Sequence, residues 1–414
     1  MAVALPIRRL SLVEQLILSI HWFGLNFHWG ALLALAIPAE VLKFASEADK
    51  GRALATVFAG GALVALVVMP LAGALSDRSM ARLGRRRPFI IAGTLLNMLA
   101  LLALDYAPTF ALFVAAYWFV QFANNFGGTA YSGLIPDLVP QEQRGSASGF
   151  MGLMTMLGTI SAAVVAGLLM ERSLAIPLYL TIIAVLLATM ALTVWKVREE
   201  PLRERPPFNL RGFMAAFWVD PRRHPDFAWL FLSRFLAMMG FYTVLDFLQF
   251  FLQDFLQIPR FKEATGWVTA AVLIGALASS FVAGWLSDRI GRRGIVSAST
   301  LVMGAMFLVF LAAPSLQLML VLGVIFGIGY GAFVSVDWAL ATDVLPSRAA
   351  AAKDLGIWGI SVTLPQVVAP LAGGPVLDAF NRVGPNQGYI ALAVMGAAYF
   401  FVGSLTIWKI KLVR

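Results

Sequence analysis

The sequence predicts an all-α membrane protein of 12 transmembrane helices in two pseudo-symmetric six-helix bundles. Three observations carry that expectation. Of 414 residues, 60% are hydrophobic and 13% charged, whereas soluble domains are about one quarter charged and cannot hide so much apolar surface from water. Apolar runs of about 20 residues, the length that crosses a bilayer, recur through the whole chain. Two polar landmarks in the first half return at matching places in the second.

The runs fall at 12–38, 53–75, 88–104, 109–135, 144–169 and 175–197, then at 227–251, 265–286, 294–312, 315–341, 352–378 and 387–408. Six lie on each side of WKVREEPLRERPPFNLRGFMAAFWVDPRRHPD, the one long hydrophilic stretch, whose proline-rich, mixed-charge composition marks a linker. The expected organisation is therefore a bundle over 1–197, a linker over 198–226 and a bundle over 227–414. The N-terminal MAVALPIRRL runs straight into the first apolar stretch without a small-residue cleavage site and reads as a retained span.

Charge sets the expected topology. With the N-terminus cytoplasmic, the loops on that side and both tails hold 23 Lys and Arg, the opposite loops hold 7, and Arg234 lies within a span. The positive-inside rule thus predicts an inner (plasma) membrane protein with both termini cytoplasmic. It also accounts for the net charge of +9 without a nucleic-acid partner. Cysteine is absent, which excludes disulfides and thiolate chemistry, and three histidines are too few and scattered for a metal cluster. No nucleophile–base pair, metal cluster or phosphate-binding loop points to an enzyme or a cofactor.

The landmarks are GALSDRSMARLGRRR (73–87) after the second span and GWLSDRIGRR (284–293) after the eighth, then Asp137–Pro140 after the fourth and Asp343–Pro346 after the tenth. The offsets are 211 residues at the Asp-Arg pair, 207 after a four-residue insertion and 206 at the Asp-Pro element. A tight loop of this composition can latch helix ends: glycine permits close approach, aspartate accepts hydrogen bonds, and arginines hold the loop at the cytoplasmic face. The latch candidates are Asp77, Arg78, Gly84, Arg85, Arg86 and Asp137, and in the second copy Asp288, Arg289, Arg292 and Asp343.

This spacing resembles the loop signature of the major facilitator superfamily. SDRSMARLGRRRPFI (76–90), with Asp77, Arg78, Arg82, Gly84 and the run Arg85 to Ile90, further resembles the plant sucrose/proton symporters, their animal relatives and the glycoside-pentoside-hexuronide cation symporters. The sequence departs from the plant carriers at Ser132, where they carry arginine, and has no ionisable residue between Arg144 and Glu171. It also lacks two marks of drug/proton antiporters, an arginine within helix 4 and a Gly-Pro-x-x-Gly-Gly run in helix 5. The superfamily resemblance implies three-helix repeats, a midplane cavity lined by helices 1, 4, 7 and 10, and alternating access, with the latches favouring the outward-open state.

Polar groups at membrane depth are costly and mark candidate sites. In helix 7, Tyr242, Asp246, Gln249 and Gln253 follow i, i+4, i+7, i+11 spacing. Asp246 reads either as a proton or substrate carboxylate or as a solvated cap. Asp337 in helix 10 reads as a coupling carboxylate or the partner of a basic group, and Arg234 as that partner, an anion anchor or a snorkelling arginine. Helix 1 carries His21, Asn26 and His28 beside Trp22 and Trp29, a set that suits a hydroxylated ring or else an interfacial aromatic belt. Gln121, Asn125, Thr129 and Ser132 form a second polar stripe in helix 4, which can also serve helix packing. Glu40, Asp105 and Glu171 fall near span ends and are expected to be solvated. Gly323, Gly327, Gly329 and Gly331 permit close packing or bending.

The reading that follows is a secondary transporter, with proton-coupled uptake of a sugar or glycoside expected and sodium as the alternative ion. Its partners are then a small-molecule substrate, the ion and the lipid bilayer. An exporter of amphiphilic compounds and a non-transporting receptor or assembly factor share the fold.

Overall fold

A computed structural model of the chain describes residues 9–199, 201–202, 219–312, 315–344 and 351–411. Most of the expected linker, 203–218, lies outside the described residues, as do Pro346 and the side chain of Asp288. Among the described residues the regular structure is entirely helical, with 12 long helices. The first six are α1 (Leu12–Ala31), α2 (Lys50–Asp77), α3 (Arg87–Asp105), α4 (Phe110–Ser132), α5 (Arg144–Glu171) and α6 (Ala175–Lys196). The second six are α7 (Pro225–Phe250), α8 (Phe261–Ile290), α9 (Arg292–Phe310), α10 (Leu316–Asp343), α11 (Ala351–Asn381) and α12 (Gln387–Thr406).

Local chemistry starts several of them. Ser11 and Glu14 form a reciprocal capping box at α1, with Glu14 accepting from the Ser11 N–H at 2.8 Å. Thr109 and Ser315 cap α4 and α10 through their hydroxyls. Both α1 and α7 end in a π-helical turn, Leu32–Ala36 and Phe251–Phe255. Such turns interrupt the regular ladder and recur at functional sites. The second one displaces Gln253 from the register expected for the helix 7 stripe.

Eleven of the helical segments are long and apolar enough to cross a membrane among the described residues. The remaining long helix, α4, spans 23 residues but carries Gln121, Asn124 and Asn125. Exposed apolar side chains on these helices, such as Phe281 (85% exposed) and Leu405 (68%), suit a lipid surround.

Two compact units emerge from the packing. One holds the chain up to Leu32 and from Leu63 into the linker; the other holds Leu33–Ala62 and the chain after the linker. In the first, α1 packs on α5 and α6, and α3 on α4 and α6. In the second, α7 packs on α11 and α12, and α9 on α10 and α12. The same pairs recur six helices later, so the repeat read from the loops is also a repeat of packing.

Candidate functional site

The arginine-rich loop of the first unit, expected to act as a latch, can be compared with its repeat in the second. Gly84 takes a left-handed backbone at φ +102°, as Gly291 does at +98°, a conformation that side chains disfavour. The turn at Gly84 aims Arg85 and Arg86 at one carboxylate: Arg85 Nε lies 3.1 Å and Arg86 Nε 3.0 Å from Asp137 Oδ2. Arg86 also pairs with Asp77 and donates to Ser76 Oγ at 2.7 Å. Arg78 is half-buried at the end of α2.

A member of this cluster that the sequence reading did not single out is Glu199, just beyond α6. It accepts from the backbone N–H groups of Arg86 and Arg87, each at 3.0 Å, at the start of α3. Its signal was present as an acidic residue beside the basic linker, but the covering charges hid it. Burial raises the Glu199 carboxyl above its ordinary value, against the lowering effect of those two donations. An acid raised on folding binds its proton more readily in the folded chain, so its contribution falls as pH rises from the ordinary carboxylate value through the raised one. The melting temperature of wild type relative to Glu199→Gln is therefore expected to fall as pH rises above the ordinary carboxylate value, as read by thermal unfolding in detergent.

In the second unit Arg292 Nη1 donates to Asp343 Oδ2 at 2.5 Å and to the Ala339 carbonyl at 2.8 Å. This repeats Arg85–Asp137 at the equivalent offset. Arg289 instead lies over the Trp285 ring, 3.8 Å from its centroid.

The first unit also gathers the helix 1 candidates. His21 is buried, with Nδ1 2.9 Å from Thr189 Oγ1 of α6, and sets its ring edge-on to Tyr131 of α4. His28 is buried with Nδ1 3.3 Å from Asn124, a residue the stripe reading passed over for its neighbour Asn125. Asn26 donates to the Trp22 carbonyl and, at 3.3 Å, to Thr155 of α5. Asn125 bonds to Gln121, which bonds to Tyr117, all within α4. His21, Thr94, Asn97 and Asn124 border a cavity of about 10 Å³, room for about one water.

The most concentrated charge at membrane depth lies in the second unit. Arg234 of α7 and Asp337 of α10 form an ion pair, with side chains 11% and 1% exposed. The guanidinium sits 3.4 Å from the ring centroid of Trp358 on α11, and Trp338 meets Trp358 edge-on at 4.9 Å. Three helices thus hold one cation between a carboxylate and an indole face, an arrangement suited to planar arginine. Arg234 Nε, Asp337 Oδ1 and Trp358 Nε1 are buried without hydrogen-bond partners among the described residues. Close by in sequence, Tyr242 accepts from Gln366 of α11 at 2.7 Å, and Phe241 stacks on Tyr330 at 4.2 Å.

Asp246 is 3% exposed, so the solvated-cap reading does not describe it, and its Oδ2 has no hydrogen-bond partner among the described residues. Gln249 is fully buried, and with its amide nitrogen and oxygen exchanged it would donate to the Leu35 carbonyl at 3.0 Å and accept from Ala39 N at 3.1 Å. Glu40, expected in solvent, is 3% exposed and bonded to Lys43 at 2.5 Å. Its neighbour three residues on neutralises it, which lets the carboxylate leave water.

Eleven helices long and apolar enough to cross a membrane among the described residues, a repeated arginine-rich loop and a buried ion pair describe a polytopic membrane protein, and the family it matches is one of transporters, not enzymes. The family profile described as "MFS/sugar transport protein" matches residues 50–350, and the chain belongs to that family. It is 23% identical over 377 residues to the multi-drug resistance efflux pump PmrA of Streptococcus pneumoniae, covering 88% of this chain and 90% of that one. It is 22% identical over 471 residues to the sucrose transport protein SUT5 of Oryza sativa, covering 94% and 86%. It is 25% identical over 412 residues to the cis,cis-muconate transport protein of Acinetobacter baylyi, covering 94% and 95%. Among solved structures, a bacterial homolog of the human lysosomal transporter Spinster shares the fold with a TM-score of 0.74 at 16% identity, covering 97% of this chain and 98% of that one.

Proposed function

We propose that this transporter imports a sugar or glycoside together with a proton. The observation that carries the reading is the Arg234–Asp337 pair stacked on Trp358 with three buried polar atoms left open. Buried charged donors and acceptors without partners match the hydroxyl rim of a pyranose, and the indole face that Arg234 covers becomes available to the sugar's apolar C–H face once the ion pair opens. Asp337 and Asp246 are the coupling carboxylates: a proton on Asp337 weakens its hold on Arg234, and a substrate hydroxyl can take the vacated position. The profile's sugar-transport description and the likeness to a sucrose transporter support the substrate class.

In this reading the bundles are 1–197 and 227–414, the arginine-rich loops face the cytoplasm with both termini, and the membrane is the cell's inner membrane. The loop latches favour the outward-open state until substrate and proton bind.

The test is uptake of labelled sucrose, maltose and hexoses into proteoliposomes under an inward proton gradient. Gradient-driven uptake in wild type that drops at least about tenfold in Asp337→Asn or Asp246→Asn supports the reading. No uptake of any sugar under either gradient direction overturns it. Export of amphiphilic compounds is the second reading, favoured by the Phe241–Tyr330 stack and by the likeness to an efflux pump. Gradient-driven extrusion of a lipophilic cationic dye, without sugar uptake, would select it.

A further inference from the structure

Opening the Arg234–Asp337 pair changes the charge balance at α7 as well as its hydrogen bonds. In the closed pair a guanidinium and a carboxylate, both buried, cancel each other. A proton on Asp337 removes the negative partner and leaves a buried guanidinium alone, the costly result of breaking one side of such a pair. Arginine cannot relieve that cost by losing its own proton, because a guanidinium stays charged in proteins.

No other described group of the second unit supplies the missing charge. Arg234 pairs with no second carboxylate among the described residues. Asp246 stands 12 residues further along α7, about 18 Å away at a helical rise of about 1.5 Å per residue. Tyr242 and Tyr330 lie within electrostatic reach of Arg234, but a phenol is uncharged at neutral pH. The Trp358 ring offers the guanidinium only the attraction of an aromatic face.

The unfilled hydrogen-bonding atoms point the same way. Arg234 Nε and Trp358 Nε1 are buried N–H donors without partners among the described residues. A carboxylate accepts hydrogen bonds without donating any, and it fits the arginine fork through both oxygens. A hydroxyl fills one donor and leaves the charge in place. The third open atom, Asp337 Oδ1, accepts until Asp337 is protonated and can then carry a donating O–H.

We propose that the transported sugar carries a carboxylate, as a uronate does, and that this group takes the place of Asp337 on Arg234 when Asp337 takes the proton. An O–H bond forms on Asp337, its ion pair with Arg234 breaks, and the substrate carboxylate forms the replacement pair. The site is then neutral both before and after loading. This deepens the sugar–proton reading and rests on it.

The test uses the full chain in proteoliposomes under an inward proton gradient, with labelled D-glucuronate, its methyl ester and D-glucose as probes. The ester keeps the ring and removes the charge. Glucuronate uptake is expected to exceed that of the ester and of glucose at least about tenfold, the lower bound for one hydrogen bond to a charged group. Arg234→Gln, measured on monodisperse protein, is expected to abolish the preference; the wild-type comparison decides the carboxylate whether or not that variant folds. A neutral sugar accumulated as well as glucuronate, whether glucose, the ester, sucrose or maltose, overturns the carboxylate and leaves the sugar–proton reading standing. A preference for glucuronate that survives in Arg234→Gln overturns Arg234 as its anchor. No accumulation of any probe or sugar under either gradient direction overturns both readings.

Discussion

Arg234→Ala is expected to cost more stability than any other single side-chain truncation in α7. It strands Asp337, whose side chain is 1% exposed, and breaking one side of a buried pair costs about 3–5 kcal/mol because the remaining charge has neither water nor partner. It also removes the guanidinium that fills the face of Trp358. Arg234→Lys keeps the charge but loses the planar stack and fork, so it is expected to recover only part of the loss. The double variant Arg234→Met, Asp337→Leu separates structure from function. Replacing a buried pair with apolar groups of similar size is often neutral, so its melting temperature in detergent is expected to return close to wild type. Sugar uptake in the proteoliposome assay is expected to stay absent. Uptake by the double variant at the wild-type rate would show that the pair only holds three helices together.

That pair marks the boundary of what the sequence made legible. The spans were readable because bilayer thickness imposes one length on every apolar run, and apart from α1, which gives way early to the π turn Leu32–Ala36, the observed helices start and stop within a few residues of the expected ones. The arginine-rich loops were readable because duplication printed them twice, and Gly84 and Gly291 share their unusual backbone. Arg234 and Asp337 were visible as costly residues, but pairing depends on how α7 and α10 are rotated, which a nearly uniform apolar composition does not encode. Trp358 was one tryptophan among 11, without a charge to draw notice. Lys50, Asp254 and Asp378 sit at helix ends, where solvation is the ordinary expectation, and only packing shows that Lys50 and Asp378 have left water.

The crossing of α8 with α10 carries the other large expected effect. Gly275 on α8 faces the Val324 backbone, while Gly327 and Gly331 on α10 face the backbones of Val272 and Ala276. A Cβ at Gly327 would lie 2.9 Å from the Val272 Cα, and one at Gly331 would lie 2.6 Å from the Ala276 carbonyl carbon. The opposing atoms are main chain, which cannot swing aside as a side chain would, so the helices must separate along their length. Gly329 turns the other way, toward Met303 and Ser299 of α9, so the series read from sequence as one feature serves two interfaces. In lipid, close backbone approach supplies the van der Waals contact that water would otherwise drive. Gly327→Ala and Gly331→Ala are each expected to lose about 1–3 kcal/mol, and Gly327→Val to yield little monodisperse protein on size exclusion. Gly294→Ala at the start of α9 is the control, since its Cβ meets nothing within 4 Å, and the added methyl favours helix by up to about 1 kcal/mol. If Gly327→Ala melted with Gly294→Ala, the crossing would have slack that its geometry denies, and the two helices would be free to slide during transport instead of moving as a pair.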